Sequence, residues 1–301
     1  MKDITEKTET RRRARAAAFL SIDGAILEAT DHARLTEKGD ALEASRIAGI
    51  MAVKRTSEAL PFCHPIPITD CDVTFELRDD GIYLEVEATT IAATGVEMET
   101  LYAASVVAMN LYDMLKPHAP KDTGLIAVTD VHLVEKEGGK SDFSISQGLR
   151  AAVLVTHDAV AAGEKEDRAG QQVCEALRSR GVDVGHYQVV GNEKEVVDAA
   201  LDSVLRGAFD VVITVGGTGL ESKDVTVQCV EARLDRQIPG VMEAARGYGQ
   251  RRTPVAMLSR GVAGVVGDTL IATFPGSTAG ARESARAVLT GLLHGADGKC
   301  C

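Results

Sequence analysis

The sequence predicts two domains of different class: an α+β domain over residues 1–147 and an α/β domain with a parallel sheet over 148–301. Three observations lead there. The 301 residues suffice for two domains of ordinary size. The first half mixes hairpin and helix patterns irregularly, as when helices cover one face of an antiparallel sheet. The second half alternates strand and helix, the rhythm of a parallel sheet.

The elements follow in order. "ALEASRIAGIMAVKRTSEAL" (41–60) has apolar residues at helical spacing. "DCDVTFELRDDGIYLEVEATT" (70–90) reads as two alternating strands around a turn at Asp79-Asp80-Gly81. "VEMETLYAASVVAMNLYDMLK" (96–116) is a long helix stopped by Pro117. "GLIAVTDVHLVEKEGG" (124–139) returns to strand, and the boundary falls near 140–150. Beyond it come a buried strand at 151–156, helices near 168–180 and 193–206, strands at 210–215 and 269–274, and a final helix.

Bulk properties exclude several classes. Net charge is −11, which argues against non-specific binding to nucleic acid or anionic membrane. The basic clusters at 11–15 and 54–57 are too short for a nucleic-acid tail. No apolar stretch reaches ~18 residues, and the N-terminus lacks a signal-peptide core. The six cysteines form no CxxC and no metal spacing, so a reduced cytoplasmic setting is expected, with Cys300 and Cys301 as bystanders. With no Trp and 4% aromatics, the cores must be built from Ala, Val, Leu and Ile.

In the first half, "PFCHPIP" (61–67) places Cys63 and His64 on rigid, non-helical backbone between prolines. That is either a structural turn or a polar side chain aimed for chemistry. The 96–116 helix carries its charges at its ends: Glu97 and Glu99 in the first turn, Asp113 and Lys116 in the last. The helix dipole alone accounts for the acidic start and the terminal lysine. Glu97 and Asp113 are sixteen residues apart, roughly 24 Å at ~1.5 Å per residue. They cannot meet in one small site within one chain, so functional use of both predicts an oligomer. Asp40 reads as an N-cap, which places Lys38 on a turn at a helix N-terminus, a place that favours anions. Lys38, Arg12, Arg15, His64 and Lys116 are the cations available for a phosphate-bearing substrate. His64 and Lys116 are also candidate proton carriers.

"KGDALEASRIAGIMAVKRTSEALPFCHPIPI", "TGVEMETLYAASVVAMNLYDMLK" and "GGKSDF" resemble the cyclic pyranopterin monophosphate synthase family, MoaC. The resemblance implies a ferredoxin-like fold and hexamers with sites at dimer interfaces. It implies Asp113 and Lys116 as the catalytic pair with Lys38, and His64 beside them. It implies Arg12 at the triphosphate, and Phe62, Cys63, His64, Glu97, Met98 and Glu99 as substrate contacts. The implied reaction converts 3′,8-cyclo-7,8-dihydroguanosine 5′-triphosphate to cyclic pyranopterin monophosphate and pyrophosphate. Lys116 would shuttle the proton, Asp113 would orient it, and no cofactor is called for.

In the second half, the strand 210–215 runs into Gly216-Gly217-Thr218-Gly219, where backbone amides can approach an anion closely. Two other strands end in "THD" (156–158) and "PGS" (275–277). Parallel strands end at one edge, so the three loops make a ligand crevice. "HDAVAAGEKEDRAG", "GGTGLESKDVT", "IPGVMEAAR", "MLSRG" and "FPGS" together resemble the molybdopterin-binding MoaB/MogA family, with a Rossmann-like α/β fold. The resemblance implies a site at Gly216, Gly217, Thr218, Gly219, Asp224, Glu243, Ser259, Arg260, Pro275, Gly276 and Ser277. It implies Asp224 on Mg²⁺ and MgATP as co-substrate. Active members carry an Asp where this chain has Asn192, followed by Glu193. Two readings stay open: an MgATP-dependent adenylyltransferase, or a module that holds a pterin or assembles the oligomer. A nucleotide-binding oxidoreductase would need a GxGxxG fingerprint that is missing.

Overall fold

The structure, a computed structural model, describes residues 1–119, 126–139 and 148–298. The start of the expected 124–139 strand, most of the expected 140–150 boundary, part of the "GGKSDF" motif, and Cys300 and Cys301 lie outside the described residues. The chain forms two compact units, Met1–Asp142 and Phe143–Cys301.

The first unit runs β1 (Thr10–Ile22), α1 (Gly24–Ala29), α2 (Ala41–Ala59), β2 (Asp70–Arg78), β3 (Gly81–Ala92), α3 (Glu97–Leu115) and β4 (Ile126–Glu137). The sheet order is β2-β3-β1-β4, and every neighbouring pair is antiparallel. The hairpin and both long helices fall where the sequence patterns put them. The centre does not: no strand is expected at 10–22, where the basic run hides the pattern. Alternation at period two is nonetheless present. Ala14, Ala16, Ala18, Leu20 and Ile22 face the helices and are buried. Arg13 and Arg15 face the other way. Arg13 grips Glu87 through Nε at 2.6 Å and reaches Glu137 at 3.2 Å, while Arg15 spans Glu85 and Glu135. Arg15, expected among the cations for substrate phosphates, is therefore occupied as a cross-strand tie on the open face of the sheet.

Helices α2 and α3 share one core with the sheet, built on Val53, Val73, Leu84, Val107, Leu111 and Leu115. The small residues that the aromatic-poor composition forces let the two helices approach closely. A Cβ at Gly49 would lie 2.5 Å from the Cγ2 of Val107.

The second unit runs β5 (Arg150–Thr156), α4 (Asp158–Ala161), α5 (Arg168–Arg178), β6 (Asp183–Val190), α6 (Lys194–Leu205), β7 (Val211–Val215), α7 (Thr226–Glu231), β8 (Arg236–Gln237), α8 (Pro239–Gln250), β9 (Ala263–Val266), β10 (Thr269–Phe274) and α9 (Thr278–Ala296). The sheet order is β6-β5-β7-β10-β9-β8. The expectation of a parallel sheet holds for β6, β5, β7 and β10. It fails at the edge, where β9 and β8 run antiparallel, so the sheet is mixed. A hairpin between β9 and β10, turning at Gly267, needs no helical crossover and left no β-α rhythm to read. The sheet is covered on both faces. Val153, Leu177, Met242 and Leu293 belong to one core, and Leu154, Leu201, Val230 and Ile271 to the other. Chain progression reverses between β5 and β7, the position where doubly wound sheets open a crevice. Among the described residues no helix is long and apolar enough to cross a membrane.

The α2–α3 contact can be tested directly. Gly49→Val should lower stability by about 1–3 kcal/mol through overpacking against Val107 and Val73, measured by urea unfolding. A change within about 0.5 kcal/mol, the size of a neutral surface substitution, would show that the helices are not in close contact.

Candidate functional site

Helix α3 lies across the sheet and presents a charged group at each end. At its C-terminus, Asp113 bridges two lysines. Lys116 Nζ donates to Oδ1 at 2.8 Å, and Lys38 Nζ donates to Oδ2 and to the Asp113 carbonyl. Lys116 reaches back three residues along its own helix, but Lys38 comes from the turn before α2. There, Asp31, His32 and Ala33 hold consecutive left-handed backbone, with φ of 46°, 55° and 67°. That conformation costs about 1–2 kcal/mol per non-glycine residue. It is pinned by the fully buried Ala33 side chain and by the Ala41 N–H donating to the Ala33 carbonyl. Gly39, at φ 106°, closes the turn, and Asp40 caps α2 through Glu43 N–H. Lys116 first and Lys38 second pull the Asp113 carboxyl down to about 2. The same contact with Asp113 raises Lys116 above its ordinary value. The trio is exposed, and its carboxylate is paired with two lysines rather than free.

The other end of α3 gathers a different set. Arg12 on β1 donates through Nε to the Ala92 carbonyl at the end of β3, and its guanidinium lies against Gly139. Lys136 on β4 stands 3.5 Å from Glu97. Glu99, in the first turn of the helix, is buried at 4% exposure, and burial raises its carboxyl above the usual range. Cys63 lies within electrostatic reach of Glu99, and its thiol is raised first by burial and then by that carboxyl. His64 lies in the same segment, within electrostatic reach of Asp3. Phe62 and Met98 are 78% and 46% exposed, unusual for side chains of their kind. The expected residues thus sort into two groups on opposite ends of a 19-residue helix. Lys38, Asp113 and Lys116 form one; Arg12, Phe62, Cys63, His64, Glu97, Met98 and Glu99 form the other.

In the second unit the strand-end crevice takes shape from glycine. Gly216 and Gly217 have φ of 107° and 61°. A Cβ on Gly216 would fall 2.2 Å from the Thr156 carbonyl oxygen, and one on Gly217 would fall 2.1 Å from Thr226 Oγ1. Thr156 and Thr226 hold each other at 2.9 Å beneath the loop. Gly276 abuts Gly216, which brings the Pro275-Gly276-Ser277 turn alongside. Asp224 Oδ2 accepts from Glu221 N–H at 2.9 Å, which closes its own turn next to Gly219. Arg260 Nε donates to the Gly219 carbonyl and its Nη2 to that of Asp224, both at 2.6 Å. It is a brace for the glycine loop. Ser277 caps α9 by accepting from Gly280 N–H at 3.2 Å. Glu243 is exposed on α8. Ser259, Pro275 and Ser277 line a cavity of about 460 Å³ bounded by α8, the segment after it and the start of α9, with Arg246, Arg252 and Glu283. The glycine loop and Asp224 do not line it.

Asn192 closes the other flank of the crevice. Its backbone N–H and its Nδ2 donate to the two oxygens of Asp158, at 2.7 and 3.2 Å. These bonds hold the Asp158 carboxyl below its usual range, the backbone N–H contributing most. Asp158, the first residue of α4 just after β5, was not singled out by sequence; the strand-end rule pointed at its loop but not at the residue. Among the described residues no three acidic, His or Cys side chains form a metal cluster.

The MoaC family model matches residues 1–139, and the model of a probable molybdopterin binding domain matches residues 152–295. The chain is 34% identical over 294 residues to the molybdenum cofactor biosynthesis bifunctional protein of Chlorobaculum tepidum, covering 98% of this chain and 92% of that one. It is 30% identical to the protein of the same name from Synechococcus elongatus, covering 97% and 92%. Its first half is 45% identical over 144 residues to the cyclic pyranopterin monophosphate synthase of Listeria monocytogenes, covering 47% of this chain and 86% of that one.

The trio at the end of α3 makes a charge prediction. Asp113→Asn should lower the Lys116 titration toward the ordinary lysine value, because the carboxylate that raises it is gone. NMR titration of isotopically labelled lysine, assigned with Lys116→Arg, reads this. An unmoved Lys116 would show that the two do not pair in solution. In the wild type the pairing contributes fully above about pH 4, near the ordinary Asp value, and is lost as pH falls through about 2.

Proposed function

The chain belongs to the bifunctional molybdenum cofactor biosynthesis proteins, and from that premise we propose how its two units divide the work. The first is a cyclic pyranopterin monophosphate synthase. It rearranges 3′,8-cyclo-7,8-dihydroguanosine 5′-triphosphate to cyclic pyranopterin monophosphate and releases pyrophosphate. Its ferredoxin-like description is supported by the β2-β3-β1-β4 antiparallel order with both long helices in one core.

The observation that carries the reading of the site is the separation of its halves along α3. Each substrate pocket takes Arg12, Cys63, His64, Glu97 and Glu99 from one chain and Lys38, Asp113 and Lys116 from another, so the working form is a homo-oligomer. Arg12 and Lys38 bind the triphosphate end as fixed cations. Lys116, held protonated by Asp113, gives its proton as pyrophosphate leaves. Exposed Phe62 and Met98 are covered by substrate and the neighbouring chain. The four described cysteines are free, which suits a cytoplasmic setting.

The second unit binds molybdopterin at the strand-end crevice. The Gly216–Gly219 amides face the phosphate, and Pro275–Ser277 with Ser259 hold the pterin side; the brace at Arg260 keeps the loop in shape. For adenylyl transfer, Mg²⁺ supplies neutralisation of the ATP phosphates. Asp224 suits it: only Oδ2 is engaged, by an N–H, which leaves Oδ1 for the ion. A second reading, pterin binding without transfer, is favoured by Asn192, whose amide nitrogen is bound to Asp158 and which brings no charge. Glu243 belongs to the pterin side on either reading.

Lys116→Ala should lower cyclic pyranopterin monophosphate formation by about 10²–10⁴ with an unchanged thermal midpoint. Retained turnover would remove Lys116 from the chemistry. Co-assembled Glu97→Ala and Asp113→Ala chains should regain part of the activity that each lacks alone, because some interfaces then unite two intact halves. No recovery in demonstrably mixed oligomers would place both halves in one chain.

Asn192→Asp sets a second carboxylate against Asp158 and should raise both Mg²⁺ affinity, read by calorimetry, and the rate of adenylylation of molybdopterin. Asp224→Asn should abolish both. A parent enzyme already fast, and indifferent to Asn192→Asp, would show that another carboxylate such as Glu193 completes the site.

A further inference from the structure

The cavity of about 460 Å³ in the second unit holds a carboxylate that the division of work above leaves idle. It is a slot between helices, with Met242 and Gly249 from α8, Ala279 and Glu283 from α9, and Val255 and Ala256 from the segment after α8. Apolar walls with a few polar groups, at this volume, suit a small flat ligand. A Cβ at Gly249 would stand 2.9 Å from the Ala256 Cβ and 3.8 Å from Glu283 Oε2. The Glu283 side chain therefore reaches from α9 towards the buried glycine of α8.

The arginines of the slot serve the protein. Arg246 Nη1 donates to the carbonyls of Ser259 and Gly261, at 3.4 and 3.2 Å. The Arg252 guanidinium lies 3.5 Å over the Tyr248 ring, and its Nη1 donates to the Tyr248 carbonyl at 2.8 Å. Among the described residues, Glu283 is the one acidic side chain that lines the slot. A carboxylate presents acceptors only, so it fits a ligand edge made of adjacent N–H donors. A 2-aminopyrimidin-4-one ring has such an edge: a ring N–H beside an exocyclic NH2, spaced to meet both carboxylate oxygens as a guanidinium does. Adenine sets a bare ring nitrogen beside its amino group, which brings lone pair against lone pair.

The Pro275-Gly276-Ser277 turn divides the slot from the strand-end crevice. Pro275 and Ser277 line the slot, while a Cβ on Gly276 would fall 3.1 Å from Gly216 Cα in the glycine loop. A ring in the slot and a phosphate at the loop amides are thus separated by a single turn.

On the pterin-binding reading of the second unit, we propose that Glu283 is its specificity-determining residue, accepting the ring N–H and the 2-amino group of the pterin in the α8–α9 slot. Adenine is left to the crevice. Guanine carries the same edge as a pterin, so the test separates the two.

The experiment uses the full chain and three probes: 6-hydroxymethylpterin, its 2-oxo counterpart 6-hydroxymethyllumazine, and guanosine 5′-monophosphate, each titrated by calorimetry. The wild type should prefer the pterin to the lumazine. Glu283→Gln, which keeps one acceptor but turns a donor toward the ligand, should weaken the pterin about ten- to hundredfold, the size of a lost charged hydrogen bond. It should not weaken the lumazine, whose 2-oxo group the new amide can donate to, so the preference disappears at an unchanged thermal midpoint. Ala279→Phe, at the exposed mouth of the slot, should remove the same binding, which separates it from any pterin bound by the first unit. Binding lost in Ala279→Phe but indifferent to Glu283→Gln sinks this inference alone. Glu283-dependent binding that favours guanosine monophosphate over the pterin overturns the pterin assignment. Pterin binding that is absent, or untouched by both substitutions, sinks the inference together with the pterin-binding reading of the second unit.

Discussion

The length of one buried helix governs the first unit. α3 is 19 residues, straight across the sheet, with Val107, Leu111 and Leu115 fully buried in the core. Its two ends therefore stand about 24 Å apart at ~1.5 Å per residue between Glu97 and Asp113. Everything else at the site is arranged around those ends. The turn carrying Lys38 is bent through three left-handed residues to reach Asp113. The strand ends carrying Arg12 and Lys136, and the proline-bounded segment with Cys63, collect at the far end. A packed helix cannot shorten, so the two clusters cannot meet in one small site within one chain.

The second unit solves its problem differently. Its functional edge is made by close approach rather than by long reach. Gly216, Gly217, Gly219 and Gly276 each occupy a place where a Cβ would meet an atom at 3.1 Å or less. The loops can then lie against one another and present backbone amides. The charged side chains nearby mostly stabilise that shape: Arg260 binds carbonyls, Asp224 closes a turn, Asn192 ties Asp158. Of these the aspartates keep free lone pairs, and so does Asn192 Oδ1, which is buried without a hydrogen-bond partner among the described residues, so the balance between binding and transfer turns on few atoms.

Much of this was legible in the sequence, and the exceptions have physical causes. The 70–90 hairpin, both long helices and the alternating second half carry their periods openly. So did the α3 geometry, since charge at helix ends and a fixed rise per residue need no tertiary information. The central strand β1 escaped because its buried face is alanine and its open face arginine, a pattern that reads as a basic run until Glu85, Glu87, Glu135 and Glu137 are seen opposite. The antiparallel edge of the second sheet escaped because a short hairpin leaves no helical crossover. Arg15 is a candidate cation for substrate phosphates by residue type, and Arg260 a ligand contact by resemblance to the MoaB/MogA family. Their partners, carboxylates on other strands and the carbonyls of the glycine loop, are set by register and loop closure, which sequence does not display. The burial of Glu99 was likewise invisible, because a first-turn glutamate ordinarily faces solvent.

The central claim is that each synthase pocket is built from two chains. A structure of the full-length Lys116→Ala chain with the cyclised guanosine triphosphate bound tests it most directly. The account predicts one substrate molecule touched by Cys63, His64 and Glu99 of one chain and by Lys38 and Asp113 of another, with α3 unbroken. A substrate held by one chain alone, at either end of α3, would contradict it.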